Sequence, residues 1–97
     1  MGVEIKNSGS GFLASVDGQM NIYFAAGLKN ELIEALKASN ELCLDLSGVS
    51  EIDTTGVQLL LLMKKEAIGK TLKILHSPST KGAAELYGIA GLFDPQP

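Results

Sequence analysis

Apolar and polar residues alternate along this chain in short bursts, separated by stretches where the apolar positions recur at helical spacing. Val3 and Ile5 flank Glu4, a period of two that predicts a short strand. The turn residues of "NSGSG" follow, and "FLASVD" then sets Phe12, Ala14 and Val16 on one face. These two segments predict a hairpin. Gly18 interrupts, and in "QMNI" Met20 and Ile22 alternate with Gln19 and Asn21. From Ala25 to Lys37 the period changes. Leu28, Leu32, Ala35 and Leu36 recur among Lys29, Glu31 and Glu34, which predicts an amphipathic helix. "ELCLDLSG" returns to alternation, with Leu42, Leu44 and Leu46 facing one way and Cys43, Asp45 and Ser47 the other. A second helix is expected from "DTTG" to near Gly69, then a strand in "TLKILH". A third helix opens at Ser77-Pro78 and stops at Gly88. The tail "IAGLFDPQP" is expected to pack Ile89, Leu92 and Phe93 before its prolines.

A hairpin followed by alternating strands and helices implies an α/β domain, with parallel neighbours joined through helices. A sheet covered on both faces wants strands apolar on both sides. Asp45 and Ser47 share a face with Cys43, so the helices are expected mainly on one face of a small mixed sheet. The second helix is harder to orient. Leu59, Leu60, Leu61, Leu62 and Met63 are consecutive, and at ~100° per residue they cannot all face one side. Leu60, Met63 and Ala67 form one stripe, with Val57, Leu61 and Ile68 beside it and Lys64 within the wider arc. Leu59 and Leu62 fall outside, near Gln58 and Glu66. Either the helix is buried on several sides or these two leucines dock another protein.

Composition narrows the function classes. The 97 residues make one domain, 45% apolar and 20% charged, a balance that suits a globular protein. Net charge is −3, with only 8 Lys and Arg and no basic cluster, so no nucleic-acid partner is expected. "MGVEIKNSGS" lacks the basic start and apolar run of a secretory signal. The run Leu59 to Met63 falls far short of the ~20 apolar residues that span a bilayer. No membrane insertion is expected, and the reading is cytoplasmic. His76 and Cys43 are the single residues of their kinds. No third group completes a nucleophilic constellation, and one histidine makes no zinc site. Cys43, within a strand of alternating leucines, is expected to be buried and inert. No catalytic residue, metal or cofactor is assigned.

The informative stretch is "SEIDTTGVQLLLLMKKEA". Asp53, Thr54 and Thr55 are all competent N-caps, and Thr55 with Gln58 three residues on matches a capping box. That leaves Gly56 unexplained, since glycine costs ~1 kcal/mol against alanine within a helix. A glycine there leaves the helix start bare, so that a partner's backbone or a phosphate can approach. A phosphothreonine is tolerated at such an end, and a capping hydroxyl can also be a phosphoacceptor.

These residues carry a family resemblance. "LCLDLSGVSEIDTTGVQLLLLMKKEA", with "LKILHSPS" and "LYGIAGLFD", resembles the STAS domain of bacterial anti-sigma factor antagonists over nearly the whole chain. The resemblance implies a non-catalytic module that binds a histidine-kinase-like anti-sigma factor, a serine/threonine kinase, or another signalling ATPase. It implies Thr55, directly before Gly56, as the phosphoacceptor, with Thr54 as runner-up. Partner contacts are expected from Asn21, Asp53, Thr54, Thr55, Gly56, Gln58, Leu59 and Leu62. Three features depart from the sigma-factor antagonists. Asn21 stands where they usually carry an acid, both turn hydroxyls are threonines, and Phe24 stands where a cap would help the first helix. "IY" after Asn21 and "GVQLLL" are closer to the chemotaxis-associated STAS proteins. The alternative is an unphosphorylated accessory subunit, docked on a chemotaxis complex or a lipid-transport ABC ATPase.

Overall fold

A computed structural model describes residues 2–9 and 11–86 of the chain. Seven elements follow in the order β1 (Gly2–Ser8), β2 (Gly11–Met20), α1 (Ile22–Lys37), β3 (Glu41–Ile52), α2 (Thr54–Glu66), β4 (Thr71–Leu75) and α3 (Pro78–Leu86). The expected packing of Ile89, Leu92 and Phe93 and the stop at Gly88 lie outside the described residues.

The sheet has the order β1-β2-β3-β4, with β1 antiparallel to β2 and the other pairs parallel. Gly9, at φ 73°, supplies the left-handed backbone that a tight hairpin turn demands. The two parallel crossovers, β2 to β3 and β3 to β4, step the same way across the sheet. Because such crossovers are right-handed, equal steps place α1 and α2 on the same face. Between that face and the helices lies the core. Ala14, Val16 and Met20 of β2 and Leu42, Leu44, Leu46 and Val49 of β3 meet Leu28, Leu32 and Leu36 of α1 and Leu59, Leu60 and Met63 of α2.

Among the described residues β4 pairs only with Glu41–Asp45 of β3. Beyond it α3 packs on β3, where the Ser79 hydroxyl donates to the Ser50 carbonyl at 2.6 Å. The start of α3 is capped reciprocally. Ser77 Oγ accepts from the Thr80 N–H at 3.1 Å, and Thr80 Oγ1 accepts from the Ser77 N–H at 2.9 Å.

Four expectations need correction. α1 begins at Ile22, three residues earlier than its leucine spacing predicts, because Asn21 is extended and its side chain accepts from the Tyr23 N–H at 3.0 Å. Ile22 therefore belongs to the helix, and Phe24 needs no capping role. Gly18 does not end β2, which continues to Met20 through a register irregularity. Cys43 is half-buried, since it lies on the sheet face away from α1 and α2. α2 ends at Glu66, short of the expected Gly69; within it Leu59 joins the core at 5% exposure and Leu61 faces outward at 37%, and Ile68, past its end, is 83% exposed.

The far end of α1 is held from a distance. Lys70 Nζ donates to the Leu36 carbonyl and, at 2.9 Å, to that of Ser39, so one ammonium satisfies a last-turn carbonyl of α1 and one in the loop that follows. Lys70→Met keeps the stem and removes both bonds. Given the ~1.5–3 kcal/mol typical of a charged hydrogen bond, it is expected to lower the unfolding free energy by that order, as urea unfolding will show.

Candidate functional site

β2 and β3 end side by side, Met20 opposite Ile52, and each passes into a helix through a single residue, Asn21 or Asp53. Two helix N-termini are thereby brought together at the C-terminal edge of the sheet. Asp53 ties them. Its Oδ1 accepts from the Gly56 N–H at 3.0 Å and its Oδ2 from the Ile22 N–H at 3.2 Å. Its own N–H donates to the Met20 carbonyl at 3.1 Å. One carboxylate therefore caps α2 and also satisfies the first N–H of α1, where the positive ends of both helix dipoles favour it.

This arrangement overturns the capping box expected at Thr55 and Gln58. Asp53 is the N-cap, and Thr54 and Thr55 are the first two residues of the helix. Thr54 is exposed and Thr55 half-buried. The reason for Gly56 also changes. It is buried, and a Cβ there would come within 2.7 Å of both the Met20 carbonyl oxygen and Ile52 Cγ1. The glycine is required by the ends of β2 and β3 behind it, which leave no room for a side chain. Asp53→Ala would strip the α2 cap and leave the Ile22 N–H without its acceptor. At ~0.5–2 kcal/mol for a cap and ~1 kcal/mol for the second bond, a loss of about 2 kcal/mol is expected in thermal or urea unfolding.

In front of this edge α1 and α2 flank a groove of about 340 Å³. α1 contributes Ile22, Ala25, Ala26 and Lys29, and α2 contributes Thr55, Gln58, Leu59 and Leu62. Leu59 is its floor, Leu62 is half-buried, and Gln58 is exposed. Ile22, Tyr23 and Phe24, at 65%, 87% and 41% exposure, form an apolar turn at the start of α1. The structure thus brings Thr55, Gln58, Leu59 and Leu62 into one groove, with Asp53 and Gly56 behind it and Asn21 capping the opposite helix. The α1 half was not among the expected site residues. Its signal was legible: "IYF" puts three large apolar residues directly after a capping asparagine, ahead of the leucine stripe that the core uses.

Among the described residues, no three His, Cys, Asp or Glu side chains gather where they could hold a metal. No helix there is long and apolar enough to cross a membrane.

Residues 5–94 match the family model described as "Mlab, STAS domain". The chain belongs to the STAS family. Solved structures agree on the fold. An anti-sigma factor antagonist from Mycobacterium paratuberculosis superposes with a TM-score of 0.86 at 18% identity, over 99% of this chain and 85% of that one. The anti-sigma factor antagonist SpoIIAA in its unphosphorylated form gives 0.78 at 12% identity, over 99% and 89%. The Bacillus cell fate determinant SpoIIAA in its phosphorylated form gives 0.74 at 14% identity, over 99% and 92%. No curated protein matches by sequence. The STAS domain here thus has the mixed four-stranded sheet with an N-terminal hairpin and α1 and α2 on one face.

Proposed function

We propose that this protein is a cytoplasmic, non-catalytic regulator of the anti-sigma factor antagonist kind, which docks a partner protein over the α1–α2 groove and releases it when Thr55 is phosphorylated. One observation carries the reading: the Thr55 side chain lines an apolar groove flanked by the exposed turn Ile22–Phe24. A contact of that composition is stabilised by desolvation, and adding charge at its wall opposes it. The likeness in fold to an antagonist solved in phosphorylated and unphosphorylated forms supports a phosphorylation switch. The partner this chemistry suits is a signalling ATPase with serine/threonine kinase activity, able both to bind the groove and to modify its wall.

The test is affinity purification of the full chain from the source cell, with and without ATP, and identification of co-purifying proteins by mass. A histidine-kinase-like ATPase that leaves on adding ATP supports the proposal. An ABC-type ATPase or a chemotaxis complex retained in ATP, with no phosphate on the chain, replaces it with the accessory-subunit reading.

A further inference from the structure

Among the described residues β1 is an outer strand of the sheet, and its outer edge is suited to pairing. Ser8 and Gly11 close the hairpin as a pair, and a pair adjoining a two-residue turn exchanges both backbone hydrogen bonds. By alternation, the N–H and C=O groups of Lys6 and Glu4 point toward β2, and those of Asn7, Ile5 and Val3 point outward. Edges are commonly blunted by charged side chains, a proline, a bulge or a covering element, and of these β1 shows, among the described residues, only the oppositely charged Glu4 and Lys6. β1 contains no proline, and its register with β2 is unbroken from Gly2 to Ser8. Among the described residues α1 packs over β2 and β3, back from the edge.

The side chains of β1 are arranged symmetrically about Ile5. Glu4 and Lys6 stand on either side of it, 66% and 68% exposed, with their charged ends 2.8 Å apart. We propose that this edge receives the β1 strand of a second copy of the chain, antiparallel, with Ile5 opposite Ile5 on the two-fold axis. In that register Glu4 of each copy faces Lys6 of the other, and Val3 faces Asn7. The outward N–H and C=O groups of Val3, Ile5 and Asn7 all meet counterparts. Placing Glu4 or Lys6 on the axis instead opposes like charges. Placing the axis between two residues sets outward groups against inward ones and forms no ladder.

The other face of the strand agrees. Val3, Ile5 and Phe12 line a second groove, of about 640 Å³, beneath the outer side of α1. Pairing brings the two Ile5 side chains together and joins these grooves across the axis. None of these residues belongs to the α1–α2 groove, so the pairing stands or falls independently of partner docking.

Sedimentation of the full chain over a range of concentrations tests this. The expected result is a mass that rises to twice the monomer. Ile5→Pro removes an outward N–H without touching the β1–β2 ladder, so it is expected to give a folded monomer. Glu4→Lys and Lys6→Glu each set like charges across the axis and are expected to weaken pairing about tenfold. Mixing those two variants restores unlike charges only between chains, since within each chain the charges remain alike, and recovery of the dimer on mixing is expected. A wild-type chain that stays monomeric at its highest soluble concentration overturns the proposal. So does a dimer indifferent to both charge variants and to their mixing.

Discussion

Leu59→Asp is expected to unfold the domain, while Leu62→Asp, three residues away, is expected to leave it folded and unable to hold its partner. The two leucines line the same groove but sit at different depths. Leu59 is 5% exposed and part of the core cluster. An aspartate there loses the ~2–5 kcal/mol typical of truncating a buried leucine and adds a carboxylate without a buried cation to meet it, at several kcal/mol more. That sum matches the whole stability of a small domain, ~5–15 kcal/mol. Leu62 is half-buried, so its aspartate can turn to water. The lost stability is expected to be about 1 kcal/mol, while a partner that must cover the site meets a charge where it met an apolar side chain. Circular dichroism during urea unfolding separates the two, and a pull-down on the folded variant reads the second effect. A Leu62→Asp protein that is cooperative and still binds removes the groove from the interface.

The contrast between these leucines also shows how far the chain could be read in advance. Strand alternation assigned Leu42, Leu44 and Leu46 to one face, and those side chains are core. Helical spacing assigned Leu28, Leu32, Ala35 and Leu36 correctly as the buried side of α1. A run of five apolar residues carries no phase of its own, so the orientation of α2 had to come from its neighbours. α1 covers Leu59 and leaves Leu61 outside, the reverse of what the stripe alone implied. Gly56 was legible as an anomaly but not as a contact, because the Met20 carbonyl that excludes a side chain lies 36 positions away in sequence. The choice among Asp53, Thr54 and Thr55 as cap was open for the same reason. Only the arrival of the Ile22 N–H from the other helix gives the aspartate a second bond that a threonine hydroxyl cannot match.

That second bond links the two halves of the proposed interface. Asp53 fixes the Ile22 N–H at the start of α1 and the Gly56 N–H in the first turn of α2. The Asp53 side chain therefore helps hold the apolar turn Ile22–Phe24 and the Thr55 wall in one spacing, beside the Met20–Ile52 pairing behind them. A partner recognising both meets a preorganised surface, which lowers the ordering cost of association. Asp53→Asn keeps one acceptor oxygen but sets an NH2 donor against the other N–H, so it removes the charge and one of the two bonds while the other remains.

The largest functional effect is expected from phosphorylation of Thr55. A phosphate there adds about −1.5 to −2 charges at neutral pH, next to the Asp53 carboxylate and one residue before the buried Gly56. The N-terminal turn of α2 stabilises an added anion by ~0.3–1 kcal/mol, so the domain is expected to stay folded. The docked state fares differently. A partner seated over Ile22, Leu59 and Leu62 would have to bury the new charge against apolar side chains. Lys29 is the one cation among the groove-lining residues to oppose it. Burial of a poorly compensated charge costs several kcal/mol, and each 1.4 kcal/mol is about tenfold in affinity, so binding is expected to fall by a hundredfold or more. Incubation with the co-purified kinase and ATP, followed by mass analysis and a binding titration, reads both quantities. Phosphate uptake is expected in wild type and Thr54→Ala but not in Thr55→Ala. Thr55→Asp is expected to unfold as wild type does and to bind far more weakly. Phosphate retained by Thr55→Ala but lost from Thr54→Ala moves the switch to the exposed hydroxyl. Thr55→Asp binding at full strength, with no phosphate taken up by wild type, eliminates it.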